Sequence, residues 1–268
     1  MKIMKRTIPF LAIIAVLMGF TGQKEIIRDD LKTIYEQAKV QGSFVLFDQN
    51  KNEWIFCNRT QLNQPFIPAS TFKIYNSLVG LETGVIKDEN FVIPWDSVIR
   101  QNSKWNADHD LKTAFKNSTV WYYQELAERV GGQRMKYWLD KVPYGNCDTT
   151  GGISRFWLTG GLRITPAEQI DLLRKLRNNQ LPFSQRSMDI VKKIMIAKDT
   201  LDYVVRAKTG WGDEKDRIIG WYVGYVEKKG NVYYFANCMQ SSDLSNKTFG
   251  KERIDITYKM LKGLKILE

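Results

Sequence analysis

Apolar residues change their spacing several times along this chain. Over residues 25–41 they fall at Ile27, Leu31, Ile34, Tyr35 and Ala38, which predicts a helix with Gly42 as its stop. Residues 43–47 and 54–57 read as two strands, joined by the polar loop Asp48-Gln49-Asn50-Lys51-Asn52. Helical spacing returns over 70–83, with Ile74, Leu78, Val79 and Leu81 apolar and Gly84 as the stop. From there to about Met195 the pattern is helical pieces and loops, clearest over 166–178. The last third reads as strands at 203–208, 218–226 and 232–239, with a turn at Lys228-Lys229-Gly230-Asn231. Residues 251–267 close the chain as a helix.

Strands at both ends therefore flank a helical insertion. This order predicts an α+β fold: an antiparallel sheet built from both chain ends, with flanking helices, beside a mostly helical lobe. The sheet part is expected over 23–60 and 196–268 and the lobe over 61–195, together one domain spanning 23–268. The cleft between sheet and lobe is the natural ligand site.

Residues 1–22 stand apart. Lys2, Lys5 and Arg6 precede an uncharged apolar run of 13 residues, 8–20, and the small residues Gly19, Thr21 and Gly22. That is the pattern of a signal peptide, and the run is short for a membrane span, which needs roughly 20 apolar residues. Export to the periplasm, with no stable membrane insertion once the leader is removed, is the expectation. The formal charge of +11 drops to +8 without those three basic residues. The remaining Lys and Arg are scattered among Asp and Glu, which reads as a solvated basic surface and not a nucleic-acid site.

Three cysteines, Cys57, Cys147 and Cys238, are too few and too far apart for a disulfide framework or a CxxC metal site. Cys57 and Cys238 lie in apolar strand-like runs and are expected as buried thiols, with one disulfide the alternative in an oxidising compartment. The single histidine, His109, cannot build a His-rich metal site and is expected as a structural hydrogen-bonding residue.

Three short motifs carry candidate chemistry. In Ser70-Thr71-Phe72-Lys73 the hydroxyl and the amine are three residues apart on a helix, so they share a face. Serine needs a base to become a nucleophile, and lysine serves as one only if burial or modification alters its charge. Lys208-Thr209-Gly210 sits at the end of a strand-like run, where Lys and Thr can hold a carboxylate and Gly admits close backbone approach. Ser118-Thr119-Val120, in the helical middle, offers a hydroxyl that can pass a proton to a leaving nitrogen. Each motif is common alone; the three in this order form the signature set of penicillin-recognising serine enzymes.

The chain resembles the class D, or oxacillinase-type, serine β-lactamases. The triplet has Val120 in third place, Tyr144-Gly145-Asn146 matches the family's YGN element, and Phe156-Trp157-Leu158 with Ile164-Thr165-Pro166 matches its omega-loop region. Residues 219–226 resemble the strand after KTG, and 105–114 the stretch before the triplet. Thr159-Gly160-Gly161 departs from the family pattern, where an acidic residue and often Pro are expected.

The resemblance implies a β-lactamase/transpeptidase-like catalytic domain that hydrolyses β-lactam antibiotics and confers resistance. Ser70 would be the nucleophile and Lys73, carrying CO2 as N6-carboxylysine, the general base. Ser118 would relay a proton, Val120 would supply apolar surroundings, and Trp157 would hold the carbamate through its indole N–H. Lys208, Thr209, Gly210, Trp211 and Arg253 would bind the substrate, with the Ser70 and Trp211 N–H groups as oxyanion hole. No metal or organic cofactor is implied, and the partner is a small β-lactam. A β-lactam sensor domain or a penicillin-binding transpeptidase, each acylated without fast turnover, shares these motifs and is the alternative.

Overall fold

The computed structural model describes residues 23–268; the expected leader lies outside the described residues. The elements run β1 (Lys24–Ile27), α1 (Thr33–Gln37), β2 (Gln41–Asp48), β3 (Glu53–Cys57), α2 (Lys73–Glu82), β4 (Val92–Ile93) and β5 (His109–Asp110). There follow α3 (Leu111–Asn117), α4 (Val120–Val130), α5 (Gly132–Lys141), α6 (Pro166–Arg177), α7 (Gln185–Ile194) and β6 (Ile196–Asp199). The chain closes with β7 (Tyr203–Glu214), β8 (Arg217–Lys228), β9 (Asn231–Ser241) and α8 (Phe249–Gly263).

Seven strands form one sheet in the order β1-β3-β2-β9-β8-β7-β6. All neighbours pair antiparallel except β1, which lies parallel to β3. The sheet thus joins the two chain ends through β2 and β9, as the α+β reading expects. Alternate residues face opposite sides. Val45, Phe47, Trp221, Val223 and Tyr234 point into a core shared with the helical lobe. Phe44, Leu46, Tyr222, Phe235 and Met239 point into a second core under α1 and α8, with Ile256 and Met260.

Three expected elements differ. The helix foreseen over 25–41 is a strand, a 3-10 turn and the short α1. β1 covers the open edge of β3: Arg28 N–H donates to Phe56 O at 2.7 Å and Lys24 pairs with Glu53 at 2.6 Å. Edge pairing here outweighs helical periodicity. Gly42 is no helix stop but part of β2, where the Tyr35 ring fills the space a Cβ would need. The KTG strand does not end at Gly210; β7 runs on to Glu214. Gly84, with φ +71°, does end α2, and Thr165 caps α6 in a capping box with Glu168.

All three cysteines are free, with Cys57 and Cys238 buried. His109 is buried against Trp121, ring centroids 5.7 Å apart, and neither ring nitrogen has a hydrogen-bond partner. Packing, not the expected hydrogen bonding, therefore defines its place. Among the described residues no helix is long and apolar enough to cross a membrane, and no group of three or more His, Cys, Asp or Glu is placed to hold a metal.

Candidate active site

Ser70 lies in a 3-10 turn, Ala69–Phe72, which leads directly into α2 at Lys73. Ala69 enters it with φ +49°, a left-handed conformation that non-glycine residues hold only when their surroundings enforce it. Those surroundings are specific. Thr71 Oγ1 donates to Pro68 O at 2.8 Å and accepts from Gln169 Nε2 at 2.8 Å and from Tyr144 OH at 3.3 Å. Trp221 Nε1 donates to Ile67 O at 2.9 Å. Phe66 and Ile164 exchange both backbone hydrogen bonds. The turn is thereby fastened to α6, to β8 and to the loop ahead of α6.

The Lys73 Nζ is 2.7 Å from Ser70 Oγ, and Lys73 is fully buried. Its amine sits 5.3 Å from the centre of the Tyr123 ring. Tyr123 is itself held: its hydroxyl lies 3.0 Å from Ser77 Oγ, which donates to Lys73 O. Phe72 stacks on Trp157 with centroids 5.2 Å apart. The Lys73 amine has no carboxylate within ion-pair reach among the described residues, and burial pushes it down to about 7. Trp157 is fully buried and its Nε1–H has no acceptor. A buried indole donor without a partner is costly, at about 1–3 kcal/mol. It marks a place where an acceptor would fit.

Ser118 caps α3 with φ +54°, ψ +37°, and Val120 begins α4, half-buried. The left-handed Ser118 backbone separates two helices and leaves the hydroxyl 3.0 Å from Lys208 Nζ. Lys208 also donates to Thr209 O at 3.0 Å. Burial holds the Lys208 amine well below the usual lysine range, reinforced by the positive Lys73 and Arg253. Arg253, near the start of α8, donates to Gly210 O and lies 5.8 Å from the Trp211 ring; its Nε has no partner. Burial lowers its guanidinium to about 10, so it remains charged near neutrality.

Strand β7 passes against the Ser70 turn. A Cβ on Gly210 would meet Pro68 O at 3.0 Å and Thr71 Cγ2 at 3.1 Å, and one on Gly212 would meet Ile67 Cγ2 at 2.8 Å. The missing side chains let the Trp211 backbone lie beside the nucleophile candidate. Three basic groups, Lys73, Lys208 and Arg253, thus gather with no carboxylate paired to any of them among the described residues. That is a field for an anionic ligand.

Ser70 thus hydrogen-bonds to Lys73, Ser118 to Lys208 and Arg253 to Gly210, while Phe72 joins the Ser70 turn to Trp157. Trp105 is half-buried, with Nε1 donating to Asn117 O at 3.0 Å, and packs against the core. The loop around Thr159-Gly160-Gly161 closes tightly, since Cβ atoms on Gly160 and Gly161 would strike Thr150, Phe156 and Asp148. Sequence reasoning missed Thr71, Gln169, Tyr123, Arg163 and Glu214. Their partners lie far away in the chain, such as 98 residues for Gln169 to Thr71 and 147 for Glu214 to Ile67.

A serine and a lysine on one turn, a second serine bonded to a second lysine, and a glycine strand beside them define the site of a penicillin-recognising serine protein. Residues 42–262 match the family model of the penicillin binding protein transpeptidase domain. Beta-lactamase OXA-48 of Klebsiella pneumoniae is 45% identical over 233 residues, 87% of each chain. The class D β-lactamase structure from Sebaldella termitidis superposes with TM-score 0.89 at 36% identity, covering 92% of this chain and 100% of that one. The C-terminal domain of the Bacillus licheniformis BlaR penicillin-receptor gives TM-score 0.86 at 30% identity, covering 92% and 99%. The chain belongs to the class D β-lactamases.

Proposed function

We propose that this protein hydrolyses the β-lactam ring through an acyl-enzyme on Ser70, and that residues 23–268 act as one catalytic unit. The observation that carries this reading is the Lys73 amine, buried, lowered to about 7 and 2.7 Å from the Ser70 hydroxyl. A group poised near the working pH is what general-base catalysis needs.

The residues present fit a carbamate on Lys73. Formation requires the neutral amine, which burial favours, and the unpartnered Trp157 Nε1–H supplies a donor for an anionic oxygen. When bound, CO2 would turn the neutral amine into an anionic group with basic oxygens, with release of one proton. Val120 and Phe72 contribute apolar surroundings.

In the first half-reaction the Lys73 side chain takes the Ser70 proton, and Ser70 Oγ bonds to the lactam carbonyl carbon. The Ser70 and Trp211 N–H groups receive the carbonyl oxygen as charge develops on it; such a donor is worth roughly 3–4 kcal/mol. The C–N bond then breaks and Ser118 delivers a proton to the leaving nitrogen; the proton that the Lys73 side chain took from Ser70 makes good that loss, which frees Lys73 as base, and Lys208, 3.0 Å away, orients the Ser118 hydroxyl. Lys208, Thr209 and Arg253 hold the ring carboxylate, with Gly210 keeping the strand close. In the second half-reaction the Lys73 side chain takes a proton from water, whose oxygen bonds to the ester carbonyl carbon; the bond to Ser70 Oγ then breaks and Lys73 returns the proton to it. Export follows from the basic-then-apolar leader over 1–22.

The test is a stopped-flow and intact-mass assay with a chromogenic cephalosporin. Steady turnover through a transient adduct on Ser70, abolished in Ser70→Ala, is expected. A stable adduct with no turnover would overturn the hydrolase reading and assign the chain to penicillin reception, the behaviour named for the BlaR domain.

A further inference from the structure

Strand β6 pairs with β7 only as far as Arg206, opposite Ile196. Beyond Ala207, whose N–H donates to Met195 O at 2.8 Å, the edge of β7 has no strand partner among the described residues. A cavity of about 720 Å³ opens along this edge, between α3 on one side and β6 and α8 on the other, and it reaches Lys208 and Thr209. Lys112, Lys116, Lys193, Lys198 and Lys208 line it, and no Asp or Glu does.

Some of that charge is already balanced. Lys112 pairs with Asp110 at 3.2 Å and Lys193 with Glu89 at 2.7 Å. Lys116 and Lys198 have no carboxylate partner among the described residues. Lys198 is instead held between two rings, 5.2 Å from Tyr203 and 5.7 Å from Tyr258. Phe115, Tyr222 and Tyr258 give the cavity flat apolar walls. Its volume exceeds what a small inorganic ion fills, so the walls suit an aromatic group and the unpaired cations suit an acid on it.

We propose that this cavity is a second anion subsite, which takes a carboxylate-bearing aromatic substituent attached next to the ring carboxylate of a β-lactam. The proposal rests on the reading that Lys208 and Thr209 hold the ring carboxylate, because that anchor directs the neighbouring substituent along the β7 edge. Cephalosporins with an acidic aryl group at C3 are the matching class.

Three cephalosporins with one common acylamino side chain and a neutral, cationic or carboxylate-bearing aryl group at C3 provide the test. The acylation rate constant of each is measured by intact mass on the wild type and on Lys116→Gln/Lys198→Gln. The ratio of the acidic to the neutral compound should fall about fivefold in the double variant, as expected for two exposed charge pairs. The cationic-to-neutral ratio should rise. Unchanged ratios would overturn the subsite. Inhibition of the neutral compound by inorganic phosphate, lost in the variant while the ratios stay equal, would overturn it in favour of a free-anion site. Failure of all three compounds to acylate would sink the β-lactam reading instead. The cavity would then be judged by calorimetric titration of isophthalate, with equal affinity in wild type and variant as the overturning result.

Discussion

The Lys73 amine and the Ser70 hydroxyl are 2.7 Å apart inside a wall of rings, with no carboxylate among the described residues to stabilise a positive charge. Burial holds that amine at about 7, so the ammonium dominates below this pH and the neutral form above it. CO2 uptake needs the neutral form. Activity should therefore fall as pH drops through about 7, and added bicarbonate should restore it most on the acid side. The ¹³C carbamate signal should follow the same profile. A rate indifferent to bicarbonate on both sides of neutrality would contradict the carbamate.

The same burial predicts a stability effect that, like activity, rises with pH. The unfolded chain carries Lys73 at the ordinary 10.5, while the folded chain holds it near 7. Between those values the unfolded state binds more protons, so this group makes stability rise with pH, and its full burden is felt below about 7. Lys73→Met removes the burden and the base together. In CO2-depleted buffer near neutrality its Tm should exceed that of the wild type by several degrees, at ~2–4 °C per kcal/mol. Hydrolysis should be lost. The Tm gap should narrow as pH approaches 10.5; a gap that is constant with pH would locate the gain elsewhere.

Trp157→Phe separates the indole N–H from the ring. The stack on Phe72 is retained and a buried donor without an acceptor is removed. Deacylation should slow about 100-fold, in the range of a lost general-base contribution, and acylation should slow less. The Tm should hold or rise. A variant with wild-type deacylation would remove Trp157 from the mechanism.

Periodicity revealed most of the sheet and helices α2, α6 and α8, because burial on one face imprints directly on sequence, but it left α4, α5 and α7 as helical pieces without bounds. It failed where an element is decided by a distant partner. Residues 24–27 carry helical spacing yet pair with β3, whose edge would otherwise stand open. Gly42 reads as a helix stop, but Tyr35 requires it. The short motifs showed Ser70, Lys73, Ser118 and Lys208 because their chemistry is local. Thr71, Gln169 and Glu214 stayed hidden, since a hydroxyl, an amide and a carboxylate are ordinary until folding brings their partners to them.

Glu214 is the strongest of these hidden positions. Its Oε1 accepts the Ile67 N–H at 3.2 Å and meets Arg163 Nε at 3.1 Å, while Oε2 meets Arg217 Nη2 at 3.1 Å. Its side chain is only 14% exposed. One carboxylate thus joins the β7–β8 hairpin, the approach to Ser70 and the loop that ends the Trp157 region. Arg163 in turn donates to Gly160 O and Leu162 O, both at 2.8 Å, and exchanges hydrogen bonds with Asn146. Glu214→Ala strands the Ile67 N–H and frees both arginines. It should lower stability by about 1–3 kcal/mol, the penalty for breaking a buried charge-assisted bond. Glu214→Gln keeps an acceptor for Ile67 and gives up only the partly solvated ion pairs, so it should lose less than half as much. Urea denaturation reads both numbers. In Glu214→Ala kcat should also fall, because the turn and the loop are positioned together. Equal losses in the two variants would place the energy in the ion pairs and not in the grip on Ile67.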